Sequence, residues 1–247
     1  MCSIDRNPLA RRVLLEYGSI FVTSTAVRLP NTCIFTDREE VDAFQSKLKT
    51  KKSLMGSTEI ELQAAAMEQL EDARTEAARF GLRISPLDGA IAGRRDYDDT
   101  VRIWNSRFYR ALNHWIRKGR ISFEEAEKAR SAAIRKQVDM VVAWESKGYY
   151  FSTDFSKSIF YSVAPPGTSQ HLSLLAFDVV EAGNPAVRRL LNKYGWFQTI
   201  RTDQPHFTFL GVTEYELPRR GLKNIIHQGN SYWVPNADIR PVSALND

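Results

Sequence analysis

The kind of residue changes along the chain at Tyr149, and this change limits the folds that the chain can adopt. Between about residue 58 and Tyr149, apolar residues recur at the three- and four-residue spacing of amphipathic helices. From Tyr149 onward, aromatic and β-branched residues are mixed with Ser, Thr, Gly and Pro, which is typical of strands and loops. Helices followed by a strand-rich part favour the α+β class, with a small antiparallel sheet flanked by helices.

The first part of the chain is predicted to hold two extended segments and one long helix. Residues 13–35 are rich in Val, Ile, Thr and Phe, which favours two short strands. Thr58 and Glu61 have the spacing of a capping box, and apolar residues follow at helical spacing until Gly81. The sequence therefore predicts a helix that begins near Thr58.

Capping signals also divide the rest of the chain. Residues 96–148 are predicted as a helical block, in which Ser122 and Glu125 form a second capping box. A shorter helix is predicted over residues 184–195, where an Asn cap is followed by Pro at the first helical position and a Gly ends the helix. We expect an N-terminal extension at residues 1–57 and a main domain at 58–247, with the block at about 96–148 inserted as a helical lobe.

Composition and charge exclude several classes of protein. The chain has 247 residues and a net charge of +5, and it carries no recognisable nucleic-acid-binding motif, so we expect no nucleic-acid partner. No run of about 18 apolar residues is present, so no transmembrane segment is predicted. Its two cysteines, Cys2 and Cys33, exclude a disulfide framework, and both are expected to be free.

Two of the four histidines lie in polar segments with many turn-forming residues, and these histidines suggest a metal site. A catalytic zinc ion takes three protein ligands of N or O type and keeps an open position, and His171, Asp178 and His206 supply such a set. His171 and Asp178 are seven residues apart and would point to opposite faces of one straight strand. Both therefore reach one metal only if His171 lies on the preceding loop or a bulge intervenes. The alternative is that all three are ordinary structural polar residues.

The other titratable residues receive different roles. Asp203 lies three residues before His206 on a loop that a proline bends, which makes it the candidate general base. Glu214 and Glu216 are the alternatives for that role. His114 and His227 are expected to be structural.

The segment SQHLSLLAFDV, residues 169–179, resembles the Ser-x-His-x6-Asp signature of the VanY-type D-alanyl-D-alanine carboxypeptidase family. This family of zinc metallopeptidases also includes peptidoglycan L-alanyl-D-glutamate endopeptidases. The preceding APPGT segment, the YGW segment at 194–196 and the PHF segment at 205–207 agree with it as well. The resemblance implies that Zn²⁺ is bound by His171, Asp178 and His206, and that Asp203 is the catalytic base.

The resemblance also implies two residues that act on the substrate. The segment GRRDYDDT, residues 93–100, is similar to the family's arginine motif, with Arg95 in register and Arg94 as the less favoured choice. The family's arginine contacts the substrate carboxylate or carbonyl, and Ser169 would be a hydrogen-bonding residue of the site wall. The chain departs from the family at Leu174, where a glycine is common, and at two positions beside the arginine, which are Asp96 and Thr100.

The activity implied by the resemblance is zinc-dependent hydrolysis of peptide bonds in peptidoglycan stem peptides, with D-alanyl-D-alanine carboxypeptidase as the first choice. One alternative is an L-alanyl-D-glutamate-type endopeptidase, because the Asp-x-Pro-His-Phe pattern at Asp203 resembles that branch. Another is a non-catalytic module that binds cell-wall peptides. The implied location is the periplasm or cell envelope. The sequence leaves the oligomeric state open.

Overall fold

The structure is a computed structural model, and it describes residues 8–236. In this range the chain forms seven α-helices: α1 (Pro8–Tyr17), α2 (Arg38–Gln45), α3 (Ala64–Arg79), α4 (Tyr97–Arg117), α5 (Phe123–Arg130), α6 (Ile134–Glu145) and α7 (Pro185–Lys193). Among these helices, none combines the length and the apolar composition that crossing a membrane requires.

Seven short strands form three separate antiparallel sheets within the described residues. The strands are β1 (Thr50–Met55), β2 (Thr58–Gln63), β3 (Ala176–Asp178), β4 (Trp196–Phe197), β5 (His206–Phe209), β6 (Leu222–His227) and β7 (Asn230–Pro235). β1 pairs with β2, β6 pairs with β7, and β5 lies between β3 and β4 in a three-stranded sheet. Small antiparallel sheets combined with helices confirm the predicted α+β class.

The chain divides into two compact units. The first unit contains residues 8–33, Phe44–Arg95 and 170–236, and the second contains Ile34–Ala43 and Asp96–Ser169. All the strands belong to the first unit, whereas α4, α5 and α6 belong to the second. The domain boundary expected at residue 57 stays a prediction.

The core of the first unit lies between α3, α7 and the three-stranded sheet. α3 contributes a buried stripe at helical spacing that includes Met67 and Leu70, and α7 contributes Val187 and Leu191. Phe177 of β3 is fully buried in the same cluster. Burial of each such side chain contributes roughly 1.5–3 kcal/mol, so this core holds β3 and β5 firmly in place.

The predicted strands in residues 13–35 are wrong, because this segment begins as a helix. Ala10, Val13, Tyr17 and Ile20 are all buried, and their spacing of three, four and three residues is that of one helical face. α1 and the 3-10 helix Gly18–Val22 follow from this spacing. The periodicity therefore outweighs the β-branched composition on which the prediction of strands was based.

The predicted capping box at Thr58 is also wrong, because Thr58 and Glu61 lie in β2. β1 and β2 form a hairpin whose two-residue turn contains Gly56 in a left-handed conformation, φ 67°. A turn with positive φ at this position suits a two-residue hairpin loop, and glycine adopts it without strain. The long helix itself is confirmed, but it begins at Ala64.

The helices predicted in the second unit are confirmed. Asp96 caps α4 in a reciprocal capping box with Asp99, and Ser122 caps α5 in the same way with Glu125. In the core of this unit, Phe151 stacks against Phe108 and Trp144. The short helix α7 is likewise confirmed, with the side chain of Asn184 accepting a hydrogen bond from the backbone of Ala186.

The cysteines differ from expectation at Cys33, which is disulfide-bonded. Cys2 lies outside the described residues. The expectation that both are free is therefore wrong for Cys33.

Leu70 provides a test of the core of the first unit. It is fully buried in α3, so Leu70→Ala removes apolar contacts and leaves a cavity; we expect it to lower the free energy of unfolding by about 2–5 kcal/mol. Leu54→Ala is the matched control, since Leu54 is 69% exposed, and its effect should stay within about 0.5 kcal/mol. Urea unfolding followed by circular dichroism measures both, and equal losses in the two variants would contradict this account of the core.

Candidate metal centre

Three chain segments of the first unit bring the predicted ligands together. His171 lies in the 3-10 helix Gln170–Ser173, Asp178 ends β3, and His206 begins β5. Asp178 and His206 are directly opposite each other in the antiparallel β3–β5 ladder. Side chains of directly opposed residues extend from the same face of a sheet, so the two side chains are neighbours.

His171 reaches the same place because it precedes the strand. The backbone N–H of Leu174 donates to the carbonyl of His171 at 3.0 Å, and Leu174 has φ 54°, so the chain turns sharply before β3 begins. A left-handed residue at this point is strained for leucine and suits glycine. The seven-residue spacing is therefore compatible with one site, because His171 lies on a turn and not in the strand.

The distances between the ligand atoms fit a small cation. Asp178 Oδ1 lies 3.1 Å from His206 Nδ1, and Asp178 Oδ2 lies 3.3 Å from His171 Nε2. The two imidazole nitrogens, His171 Nε2 and His206 Nδ1, are 3.2 Å apart. Four-coordinate zinc, with metal–ligand distances of ~2.0–2.2 Å, needs its ligand atoms about 3.3 Å apart. Two nitrogens and one carboxylate oxygen are also a donor set that catalytic zinc uses, so these residues fit the metal.

His171 and Asp178 are buried and in the ionisation states that a cation requires. Burial, followed by the nearby positive charge of Arg95, lowers the pKa of His171 to about 4, so the imidazole is neutral near pH 7. Burial alone would raise the pKa of Asp178, but its contacts with His171 and His206 outweigh burial and lower that pKa. A neutral imidazole and a carboxylate are the forms that coordinate metals.

The tautomer of His171 is fixed by the backbone of Gly93. The Nδ1 atom of His171 lies 2.8 Å from the carbonyl oxygen of Gly93, and a carbonyl only accepts hydrogen bonds. Nδ1 therefore carries the proton, and the lone pair of Nε2 faces Asp178 and His206. A hydrogen bond of this kind to the second ring nitrogen is typical of metal-binding histidines.

Gly93 is packed too closely against β2 to carry a side chain. A Cβ atom added to Gly93 would lie 2.8 Å from Cγ2 of Ile60 and 3.1 Å from the carbonyl oxygen of Glu61. An alanine at this position therefore requires either Ile60 or the backbone of Gly93 to shift. A shift of Gly93 would move the carbonyl that holds His171.

Arg95 lies beside the ligand cluster. Its NH2 donates to Asp178 Oδ2 at 2.6 Å, and its Nε donates to the carbonyl of Ile91 at 3.0 Å. Arg94, the alternative, is directed elsewhere, because its guanidinium binds Gln45 and Glu61. The geometry thus puts Arg95, not Arg94, in contact with a predicted ligand.

Asp203 lies on the turn that leads into β5. Its carbonyl accepts from the backbone N–H of His206 at 3.2 Å, and the residue is exposed. Desolvation of the carboxyl group, with repulsion from Asp178, raises its pKa despite the opposing effect of Arg95.

The two alternative bases have structural partners. Glu216 accepts hydrogen bonds from the backbone N–H and the hydroxyl of Thr213, at 2.9 and 2.8 Å. Glu214 accepts from the indole N–H of Trp233 at 3.1 Å. Both carboxylates therefore accept hydrogen bonds from other residues of the first unit.

The remaining residues singled out from the sequence have local contacts or stay untested. Ser169 is half-buried and is the last residue of the second unit, so its role as a substrate contact stays a prediction. His114, also in the second unit, stacks on Phe155 with ring centroids 4.2 Å apart. His227 lies in β6, and its ring is 6.4 Å from that of Tyr232.

The sequence did not identify the buried polar residues that surround the ligands. Gln170 makes hydrogen bonds with His206 and with Thr208. Gln45 donates to the backbone carbonyls of Arg95 and Leu172. Gln170 is adjacent to a predicted ligand, which was the one available signal. Nothing in the sequence indicates the direction in which its side chain points.

Comparisons with known proteins give two matches, both to solved structures. No protein-family profile matches the chain, and no curated protein sequence matches it. The first structure is a mutant of the vancomycin-resistance D,D-pentapeptidase VanY in complex with Zn(II), with 17% identity over 67% of this chain and 82% of that one and a TM-score of 0.34. The second is the LD-carboxypeptidase LdcB, described for peptidoglycan recognition, with 15% identity over 80% of this chain and 73% of that one and a TM-score of 0.35.

Both matched structures are described as peptidases. Since both TM-scores are below 0.5, the likeness carries no further weight. The function is therefore inferred from the side chains of the site.

The position of Gly93 can be tested through metal affinity. Gly93→Ala should displace the carbonyl that orients His171, so we expect zinc to bind about 10–100-fold more weakly, the usual effect of losing such a contact. Gly183→Ala is the matched control, because a Cβ there meets nothing within 4 Å. Competition with a chromogenic chelator measures both affinities, and a folded Gly93→Ala protein with wild-type zinc affinity would contradict the assignment.

Proposed function

We propose that this protein is a zinc-dependent peptidase that hydrolyses peptide bonds in peptidoglycan stem peptides, acting as a D-alanyl-D-alanine carboxypeptidase. The observation that carries the proposal is the buried group of His171, Asp178 and His206, whose ligand atoms all lie within 4.8 Å of one another. Three protein ligands leave one position open for water or substrate, as in catalytic zinc sites. Bound there, zinc would supply a Lewis acid that polarises a peptide carbonyl and activates water.

In this proposal Asp203 transfers the proton. It lies on the turn that ends at His206, close enough to Asp178 and Arg95 for their charges to affect its pKa. A raised pKa is closer to neutral pH, so the carboxylate accepts a proton from attacking water more readily. It then returns that proton to the leaving amine. The aspartate here is shorter than the glutamate of typical carboxypeptidases, which favours the L-alanyl-D-glutamate endopeptidase branch as the second candidate.

Arg95 is proposed to bind an anionic or polarised oxygen of the substrate. Two of its nitrogens are used by Asp178 and Ile91, whereas NH1 makes no hydrogen bond to any described residue in 8–236. A guanidinium fixed on one side can still donate from the other, and charge-assisted bonds of this type are strong. Ser169, two residues before His171, is proposed as a second hydrogen-bonding contact on the basis of the sequence resemblance.

The cell envelope is the proposed location, since that is where peptidoglycan stem peptides occur. The disulfide at Cys33 supports this proposal, because disulfides persist in oxidising compartments outside the cytoplasm.

The ligand assignment is tested by His206→Ala. This change removes one of three ligands, so we expect both the bound zinc and the hydrolysis of muropeptides to be lost. His227→Ala is the control, because His227 lies in the β6–β7 hairpin and should leave both unchanged. Metal analysis of the dialysed proteins decides the matter, and full zinc content in His206→Ala would overturn the ligand set.

The role of Asp203 is tested by Asp203→Asn. The amide keeps the size of the side chain but no longer accepts the proton, so we expect wild-type zinc content with kcat lowered by about 10²–10⁴-fold. Glu214→Gln is the control for the alternative base and should keep its activity. Full turnover in Asp203→Asn, or its loss in Glu214→Gln, would assign the base elsewhere.

The substrate class is tested by incubating the zinc-loaded protein with defined muropeptides and analysing product masses. A D-alanyl-D-alanine carboxypeptidase removes one alanine from stems that end in D-Ala-D-Ala and leaves shorter stems intact. Cleavage between L-alanine and D-glutamate would instead support the endopeptidase. Binding without any change in mass would indicate a non-catalytic peptide-binding module and would contradict the proposal.

A further inference from the structure

We propose that Gln170 is a positioning residue for the metal centre, which holds His206 in the tautomer whose Nδ1 lone pair faces the other ligands. The inference rests on the metal-binding part of the proposed function. It concerns how the chain prepares the site, and it is independent of which peptide is cleaved. It follows from a chain of hydrogen bonds that begins at a backbone carbonyl.

The orientation of the Gln170 side-chain amide is fixed by a backbone carbonyl. Nε2 of Gln170 donates to the carbonyl oxygen of Tyr17 at 2.8 Å. A backbone carbonyl only accepts, so the nitrogen of the amide must be on that side and Oε1 must point the other way. Tyr17 is the last residue of α1, so the orientation of this side chain is set by the first helix of the chain.

Oε1 of Gln170 accepts hydrogen bonds from two groups, the hydroxyl of Thr208 and the imidazole of His206. The hydroxyl of Thr208 in turn lies 2.7 Å from the hydroxyl of Thr199, which completes the network. Gln170 is 3% exposed, and both threonines are fully buried. With solvent excluded, a reversed amide would leave several polar groups without partners, so one orientation is strongly preferred.

The orientation of the Gln170 amide determines which nitrogen of His206 carries the proton. His206 Nε2 lies 2.8 Å from Oε1 of Gln170, so Nε2 must carry a proton to make this hydrogen bond. A neutral His206 then has its lone pair on Nδ1, the atom that lies 3.2 Å from His171 Nε2. The two imidazoles are thus preset in opposite tautomers, His171 by the carbonyl of Gly93 and His206 by Gln170.

Gln170 is needed because the site contains a competing acceptor. Asp178 Oδ1 lies 3.1 Å from His206 Nδ1, so before metal binds this carboxylate attracts a proton to the nitrogen that should coordinate. The acceptor supplied by Gln170 gives the proton a partner at Nε2. Without Gln170, the proton is expected at Nδ1, where it blocks coordination until it moves.

Replacement of Gln170 by Met tests this role, since Met has a similar length and no acceptor oxygen. With zinc alone as the probe, we expect Gln170→Met to bind it about 10–100-fold more weakly. Gln170→Glu keeps an acceptor for His206 and should restore most of the affinity. Gln137→Met is the matched control, because Gln137 is also buried and hydrogen-bonded but belongs to α6 of the second unit; it should not change zinc affinity.

The tautomers themselves provide a readout that a merely structural role would not change. In metal-free wild-type protein, ¹⁵N NMR should show His206 protonated at Nε2 and His171 at Nδ1. In Gln170→Met the proton of His206 should move to Nδ1, while His171 stays unchanged. A wild-type His206 protonated at Nδ1 would overturn the inference, even if the Met variant fails to fold.

The outcomes separate this inference from the proposed function. Weaker zinc binding and a changed tautomer in Gln170→Met support the inference whether or not the wild-type protein cleaves muropeptides. Unchanged zinc affinity and an unchanged tautomer in a folded Gln170→Met protein overturn the inference, even if the wild-type protein proves to be an active peptidase.

Discussion

The antiparallel pairing of β3 with β5 sets Asp178 directly across from His206, and the rest of the candidate centre depends on that register. A shift of one residue would turn one of these side chains to the opposite face of the sheet, because side chains alternate along a strand. The register is in turn held by the apolar core behind the sheet, where Phe177 and Phe207, the neighbours of these two ligands, are fully buried. The packing of this core thus positions Asp178 and His206, although β3 and β5 are short strands.

The residues of the candidate metal centre also make contacts with distant parts of the chain. His171 is oriented by Gly93, Asp178 is paired with Arg95, and His206 is oriented through Gln170 by the end of α1. Each ligand therefore has one partner outside the cluster that fixes it in a single orientation. Preorganisation of this kind limits the reorganisation that metal binding requires, because the ligand atoms already stand at nearly the separations that zinc prefers.

The sequence predicted most of the helices for reasons that the structure makes clear. Asp96, Ser122 and Asn184 act through short-range contacts with the turn that follows them, so the local pattern was sufficient. α1 was missed because the β-branched residues between 13 and 35 favour strands, whereas burial of one face at helical spacing favours a helix. The same limit applies at Thr58, where the spacing of a capping box occurs within a strand of a hairpin.

From the sequence, the site could be proposed as a set of residues and not as a geometry, and the ligand roles of these residues stay a prediction. Histidine and aspartate are among the residue types that bind zinc, so composition and resemblance pointed to His171, Asp178 and His206. The contribution of Gln170 depends on Tyr17, which is 153 residues away in sequence, and long-range contacts of this kind leave no local pattern. The opposite tautomers of the two histidines could likewise be inferred only once their acceptors were located.

Anomalous diffraction at the zinc absorption edge, from crystals of the zinc-loaded protein, tests most directly whether these three residues bind zinc. We expect one zinc ion bound by His171 Nε2, His206 Nδ1 and a carboxylate oxygen of Asp178, with Gln170 Oε1 still hydrogen-bonded to His206 Nε2. Zinc at another place in the chain, or coordination of His206 through Nε2, would contradict this assignment.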